Sequence, residues 1–430
     1  MVTRAPFLKT RYGGYYHRDV PEEDTELTHI GPGTLCGEYL RRFWQPICFS
    51  DELHELPHRV KILGEELVAF RDQSGAAGLL ELHCPHRGTS LEFGLIDAKG
   101  IRCCYHGWLF AADGTILETP GEPVESTLKD RLYHGAYPTH EYNGIVFAYM
   151  GPPDERPPFP VYDSFVRQGH RLIPGRKYFY PCNWLQILEN AMDPAHTAFL
   201  HTIVSGAVFT EEFGVIPELE FVETPAGMIY VATRRVRNNV WARMVEVVLP
   251  NLQQVAPIWE DGLRAHPFSG PMMSRWIVPQ DDASTMFIEF RHVSESEGVT
   301  PAWWADRDIM LPGQLAAGSY EESQRRPGDY EAQVSQRPIA IHGLEHLGAT
   351  DRGVTMFRNQ IRRGIRAVAA GRDPANLRRE AGAIIPTYCN DTVVRVPAAE
   401  TPAMDKQSLR DTGRRLAEAY LKDPPLMINR

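Results

Sequence analysis

The sequence predicts an α+β chain built in two parts, a small all-β module followed by a larger domain of antiparallel strands and helices. Three observations carry that prediction. From about Arg59 to Met150 the chain reads as short strands broken by turns: RVKIL, ELVAF, the turn RDQSGAAG, LLELH, GWLF, the turn AADG and IVFAYM. Next, GPPDERPPFP over Gly151–Pro160 holds five prolines in ten residues, too stiff and too poor in N–H donors for the interior of an element. Beyond it the strand candidates lengthen into GMIYVATRRV, ARMVEVVL, MSRWIV and TMFIEFRHV, and then give way to helical spacing. The domains expected are 1–155 and 156–430.

Ahead of the strands, TLCGEYLRRFW, from about Thr34 to Trp44, sets Leu35, Leu40 and Phe43 behind a Gly-Pro-Gly start, the pattern of a short amphipathic helix. Gly31, Gly33 and Gly37 lack the spacing and the preceding strand of a dinucleotide-binding loop, so turn and cap duty is assigned to them. Past the proline-rich linker a helix is expected near Trp184 to Leu200, and PQDDAS turns between the last two long strands. Val354, Phe357, Ile361, Ile365 and Val368 recur at helical steps on one face, stopped by Gly371 and Pro374, and DKQSLRDTGRRLAEAYLKD forms a last helix.

The composition is that of an ordinary globular protein: 430 residues, 43% hydrophobic and 23% charged. A formal charge of −10 repels phosphate backbones, which argues against a nucleic-acid partner. The chain has neither a signal-peptide core nor an apolar run of about 18 residues, so a cytoplasmic protein with no membrane partner is expected. Seven unevenly spaced cysteines speak for metal ligation rather than a disulfide framework.

Within the β module, LHCPHRGTSLEFGLIDAKGIRCCYHGW contains Cys84-x-His86, sixteen intervening residues, and Cys103-x2-His106. Two thiolates and two imidazoles, one of each per loop, suit a Rieske [2Fe–2S] centre, in which two Cys hold one iron and two His the other. A structural Cys2His2 zinc is the competitor, but it usually groups Cys with Cys and His with His. Cys104 and His83 fail the spacing and are read as packing or hairpin residues, and Trp108 as packing over the cluster.

CPHRGTSLEFG with CCYHGW resembles the Rieske domain of the Rieske non-heme iron oxygenases. That resemblance implies a second metal centre in a C-terminal helix-grip domain, an antiparallel sheet wrapped around helices. Its candidate segment is ENAMDPAHTAFLH, with Glu189, Asn190, Asp193, His196 and His201. Two His and a carboxylate make the facial triad of non-heme Fe(II) sites, although zinc would accept the same ligands. His-x4-His alone is a weak signal, because five α-helical positions leave the two side chains about 140° apart, so the helix must bend or end between them. By resemblance, Asp193 bridges the iron of one subunit to the cluster of the next and Asn190 lines the site, with an ordinary helix hydrogen bond as its alternative; Glu189 is read as structural.

IGPGTLCGEYLRRFWQPI and EHLGATDRGVTMFRNQIRRGI further resemble the phthalate dioxygenase-like branch, which includes aromatic ring hydroxylases and aryl O-demethylases. The branch implies an α-only trimer or stacked hexamer and O2 as co-substrate. Its electrons come from NADH through a separate flavin and ferredoxin-type reductase, and its substrate is a small aromatic compound, carboxylated or methoxylated. For the third ligand, GDYEAQVSQRPIAIHGLEHLGATD offers Asp329, Glu331, Glu345 and Asp351, and Asp-x3-Gln-x-Ser-x2-Pro-Ile resembles the ligand-bearing helix at Asp329. A stand-alone electron-transfer protein and a zinc-dependent hydrolase are the other classes of function the residues allow.

Overall fold

The computed structural model describes residues 8–16, 22–296, 300–308 and 318–424. The helix expected near the start forms over Leu35–Leu40, capped by the Thr34 hydroxyl on the Gly37 N–H, and Trp44 already begins a strand. That strand, Trp44–Phe49, pairs antiparallel with Ile145–Tyr149, which pairs in turn with Thr139–Tyr142. A second sheet orders His58–Ile62, Glu65–Arg71, Ala77–Glu81 and Ala136–Tyr137, and a third Leu95–Asp97, Gly100–Arg102, Leu109–Phe110 and Ile116–Glu118.

ELVAF is apolar without alternation because both faces of its strand are covered. Leu67 and Ala69 join the main core of the molecule, whereas Val68 and Phe70 face a second, smaller core with Leu80, Leu82 and Phe110. Period two thus divides one strand between two cores. The main core runs on across the proline-rich segment. Phe147 of the first part meets Trp276 of the second at 5.2 Å between ring centroids, and the Trp44 indole N–H donates to the Pro157 carbonyl.

The second part is an eight-stranded sheet, antiparallel throughout. Its order is His170–Tyr180, Ser284–Ser294, Met273–Asp281, Leu252–Val255, Asn239–Val248, Gly227–Val236 and Glu218–Glu223, with Asn390–Arg395 also pairing along Asn239–Val248. The four long strands expected are present. His170–Tyr180 escapes the sequence reading because Pro174 and Gly175 interrupt it; the register shifts between Pro174 and Lys177, and the strand lies at the sheet edge, where proline is tolerated.

Helix Arg352–Ala369 buries Val354, Phe357, Ile361, Ile365 and Val368, as its spacing predicts. It approaches closely through two glycines: a Cβ on Gly353 would lie 2.3 Å from the Phe221 ring, and one on Gly364 2.4 Å from that of Tyr39. The last helix, Pro402–Lys422, lays Leu409, Gly413 and Ala417 against the sheet on the face carrying Ile229 and Val231. No helix among the described residues is long and apolar enough to cross a membrane.

Candidate active site

Two similar turns carry the first group of candidate ligands. The Cys84 N–H donates to Thr89 O at 2.9 Å and its carbonyl accepts from Gly88 at 2.8 Å; the Cys103 N–H donates to Trp108 O at 2.8 Å and its carbonyl accepts from Gly107 at 3.1 Å. Both loops reverse at a glycine in the left-handed region, Gly88 at φ +77° and Gly107 at φ +74°. Cys84 and Cys103 are buried in the smaller core, while His86 and His106 are half-buried at its rim, 4.5 Å apart between centroids. His86 stacks flat on the buried Trp108 at 4.8 Å.

Burial pushes the Cys84 thiol up to about 11, and the neighbouring Cys103 adds to the rise. Two thiols facing inward, with the two imidazoles in contact at the rim, make a preformed set of soft and borderline metal donors. The donor set fits a cluster with one thiolate-held and one imidazole-held iron. Cys104 and His83 are exposed, and the His83 Nδ1 lies 3.1 Å from Gly88 O.

The second group is built on a broken helix. Asn183 caps Trp184–Asn190 through its side-chain oxygen on the Leu185 N–H, and the helix stops before Pro194, where Asp193 Oδ1 accepts from the Ala195 N–H at 3.1 Å. Winding resumes over His196–Ala198 and then widens into a π-helix over Phe199–Val204. A π turn bonds i to i+5 and so rotates less per residue than an α turn, which brings His201 back toward His196. The rings stand 5.4 Å apart at 71°. The bend the spacing demands is therefore a change of winding.

Asp329 opens helix Asp329–Val334, with its Oδ1 3.6 Å from His196 Nε2 and 3.4 Å from His201 Nε2. One ligand atom from each of the three lies within 4.8 Å of the others. Burial pushes the Asp329 carboxyl up, but His201, then His196 and Arg275, outweigh it and hold it well below the ordinary carboxylate range. Burial likewise pushes the His196 imidazole down, and Asp193 and Asp329 reverse the sign, so it titrates above the usual histidine. The His201 Nδ1 is buried with no hydrogen-bond partner among the described residues. Two imidazoles and a carboxylate converging, with no fourth His, Cys, Asp or Glu in the group among the described residues, fit a divalent metal with open positions.

The other candidate carboxylates point elsewhere. Glu331 accepts from the Gly328 N–H at 2.8 Å, Asp351 from the Gly348 N–H at 2.6 Å, and Glu345 holds Arg358. Glu189 is gripped by that same Arg358. Asn190 sits above the ligands, its Nδ2 3.4 Å from Asp329 Oδ1 and 3.5 Å from His196 Nε2. Asp193 stands behind His196: its carbonyl oxygen takes the His196 Nδ1 contact, and its Oδ2 lies 3.7 Å from that nitrogen.

A partly open cavity extends from the three ligands. Phe209, Phe213, Tyr230, Val245, Val255, Ile258 and Met273 make it mostly apolar, and Arg243, Gln253 and Arg275 add polar groups. Sequence reading missed these three. The sheet register assembles them: Gln253 lies opposite Arg275 and Val255 opposite Met273, so residues two apart on neighbouring strands share the cavity face. The available signal was an arginine inside each of the apolar strands ARMVEVVL and MSRWIV. Arg243 is bound to Asp391 at 3.1 Å and to the Ala256 and Pro257 carbonyls, and Arg275 Nε donates to Gln253 Oε1 at 2.7 Å.

An all-β module with inward thiols and rim imidazoles, joined to a sheet domain with a two-His, one-carboxylate site at an apolar cavity, is the arrangement that a protein with two metal centres requires. Comparison with known proteins agrees. Residues 43–129 match the Rieske [2Fe-2S] domain family and residues 148–303 the LigXa C-terminal domain like family. The chain is 44% identical to the tert-butanol monooxygenase / tert-amyl alcohol desaturase oxygenase subunit of Aquincola tertiaricarbonis, over 93% of this chain and 90% of that one. It is 37% identical to the phenoxybenzoate dioxygenase subunit alpha of Ectopseudomonas oleovorans, over 90% and 95%. Among solved structures, the NdmA QL mutant of Pseudomonas putida CBB5 with caffeine aligns over 82% of this chain and 98% of its own at 18% identity, with a TM-score of 0.58. The chain belongs to the Rieske non-heme iron oxygenases, as an oxygenase component carrying a [2Fe–2S] cluster and a mononuclear iron. The stand-alone electron carrier and the zinc hydrolase fall with that assignment.

Proposed function

We propose that the chain oxidises a small aromatic carboxylate or aryl methyl ether in the cavity beside His196, His201 and Asp329, by ring hydroxylation or O-demethylation. The observation that carries this reading is the convergence of those three side chains at the end of a mostly apolar cavity. They hold the mononuclear iron; Cys84, His86, Cys103 and His106 hold the cluster; residues 1–155 and 156–430 form the two domains. When bound, the mononuclear iron supplies O2 activation and the cluster the storage of single electrons. The protein's own part is positioning. Phe209, Phe213 and Ile258 exclude water and hold a flat ring, while Gln253 and Arg275 orient a polar substituent. Asp193 couples His196 to His106 of the partner subunit: its carbonyl oxygen meets the His196 Nδ1, and its carboxylate, 3.7 Å from that nitrogen, is the group that reaches toward the neighbour.

This requires a trimer or a stacked hexamer, in the cytoplasm, served by a separate flavin and ferredoxin-type reductase that draws on NADH. The relative named for tert-butanol supports a second reading, a tertiary alcohol lodged against the same apolar wall. The test is oxygen-dependent turnover with such a reductase on methoxybenzoates, plain benzoates and tertiary alcohols. Formaldehyde from the methoxybenzoates marks O-demethylation, and hydroxylated rings with no formaldehyde mark ring attack. Turnover of the alcohols alone overturns the aromatic assignment.

A further inference from the structure

Helix Trp184–Asn190, which leads into the histidine segment, and helix Asp329–Val334, which carries the carboxylate, are joined at two points one helical turn apart on each. At the metal end the Asn190 Nδ2 faces Asp329 Oδ1 at 3.4 Å. One turn back, Gln186 is buried and uses its whole amide: Nε2 donates to the Gln333 carbonyl at 2.8 Å and to the Arg337 carbonyl at 2.9 Å, and Oε1 accepts from the Ala340 N–H at 3.0 Å. Gln333 is one turn after Asp329, so 186 against 333 and 190 against 329 form an antiparallel ladder of two rungs. Arg337, held by the same amide, has φ +85°, a conformation costly for a residue with a side chain. The clamp therefore fixes both the end of the Asp329 helix and the chain reversal that follows it.

We infer that Gln186 is a positioning residue for the mononuclear metal site, setting the placement of Asp329 against His196 and His201 through the helix that carries Asp329. The Asn190 contact is long, so the short bonds of Gln186, with the Asn183 N–H on the Pro338 carbonyl at 2.7 Å beside them, hold the two helices together away from the metal end. A glutamate at 186 keeps the shape but cannot donate to two carbonyls, and a leucine donates to none.

The inference rests on the three-ligand reading of this site, and the experiment separates the two. Full-length protein with its cluster intact is stripped of mononuclear metal and titrated with Co2+, following the cobalt visible bands, with the cluster absorption as internal standard. Gln186→Glu and Gln186→Leu are expected to bind Co2+ at least about tenfold more weakly and to shift the cobalt bands. Gln254→Leu is the control: it removes hydrogen bonds to Ser164 and Ser274 from another buried amide, so it is expected to lower the Tm while leaving Co2+ affinity within about twofold. If Gln186→Leu does not fold, Gln186→Glu carries the test alone. Unchanged affinity and bands in Gln186→Glu, or an equal loss in Gln254→Leu, overturns the positioning role. Undiminished Co2+ binding in Asp329→Ala overturns the three-ligand reading instead.

Discussion

Arg358 holds Glu189 with two nitrogens, Nε on Oε1 and Nη2 on Oε2 at 2.9 Å, and the same guanidinium reaches both oxygens of Glu345. The cation lies on helix Arg352–Ala369, and Glu189 stands beside Asn190. Side-chain exposures of 8% and 9% place the Arg358–Glu189 pair out of solvent. Replacing Arg358 with methionine strands a buried carboxylate and should cost about 3–5 kcal/mol, read as a lower urea midpoint. Adding Glu189→Leu should recover much of that loss. A change in the single variant no larger than that of an exposed pair would show that water reaches Glu189.

Asp329→Ala should lose mononuclear iron and turnover while the cluster absorption persists, because it removes one of three converging donors. Asp351→Ala, which frees only the Gly348 N–H, should keep all three properties. Metal analysis and visible spectra of the two variants decide this, and the opposite pattern moves the ligand to Asp351.

Asp193→Asn should leave both metals in place and nearly stop electron passage between them. On the proposed bridge, the amide keeps the shape but loses the charge that would draw His196 and His106 of the partner subunit together. Rapid-mixing spectroscopy of a pre-reduced sample checks it: fast oxidation of the cluster in a single turnover, or full activity in a stable monomer, counts against the bridge.

Glu246 ties stability to pH. It is wholly buried, and burial pushes its carboxyl up to about 8, against hydrogen bonds from the Tyr388 N–H and the Thr224 hydroxyl, with Asp163 adding to the rise. Unfolded, it titrates near 4.5. Below that pH both states hold the proton; between there and about 8 only the folded state does, so stability from this group falls as pH rises and then levels off. Urea midpoints taken from pH 5 to 8 should therefore decline less in Glu246→Gln than in the unsubstituted protein. Parallel profiles would mean that Glu246 is already ionised when folded.

Legibility followed the distance over which each signal acts. Cys84, His86, Cys103 and His106 lie in two short loops, so spacing alone brought them together, and Gly227–Val236 occupies the very stretch read as GMIYVATRRV. Asp329 comes from a distant helix, and only a motif separated it from Glu331, whose carboxylate turns back to cap its own helix. Arg243, Gln253 and Arg275 were beyond reach because strand register, which depends on the whole sheet, puts them on the cavity face. The edge strand His170–Tyr180 was hidden by Pro174 and Gly175, the residues that form its bulge.

The π turn at Phe199–Val204 is one residue longer than regular winding requires, and that surplus is what separates a ligand pair from two unrelated histidines. Removing one residue between His196 and His201 would leave an i,i+4 pair, which an ordinary α-helix already carries on one face; it is the five-residue spacing that needs the wider winding to bring the two rings together. The π winding and the five-residue spacing are therefore matched to each other, and either one altered alone would part the two imidazoles.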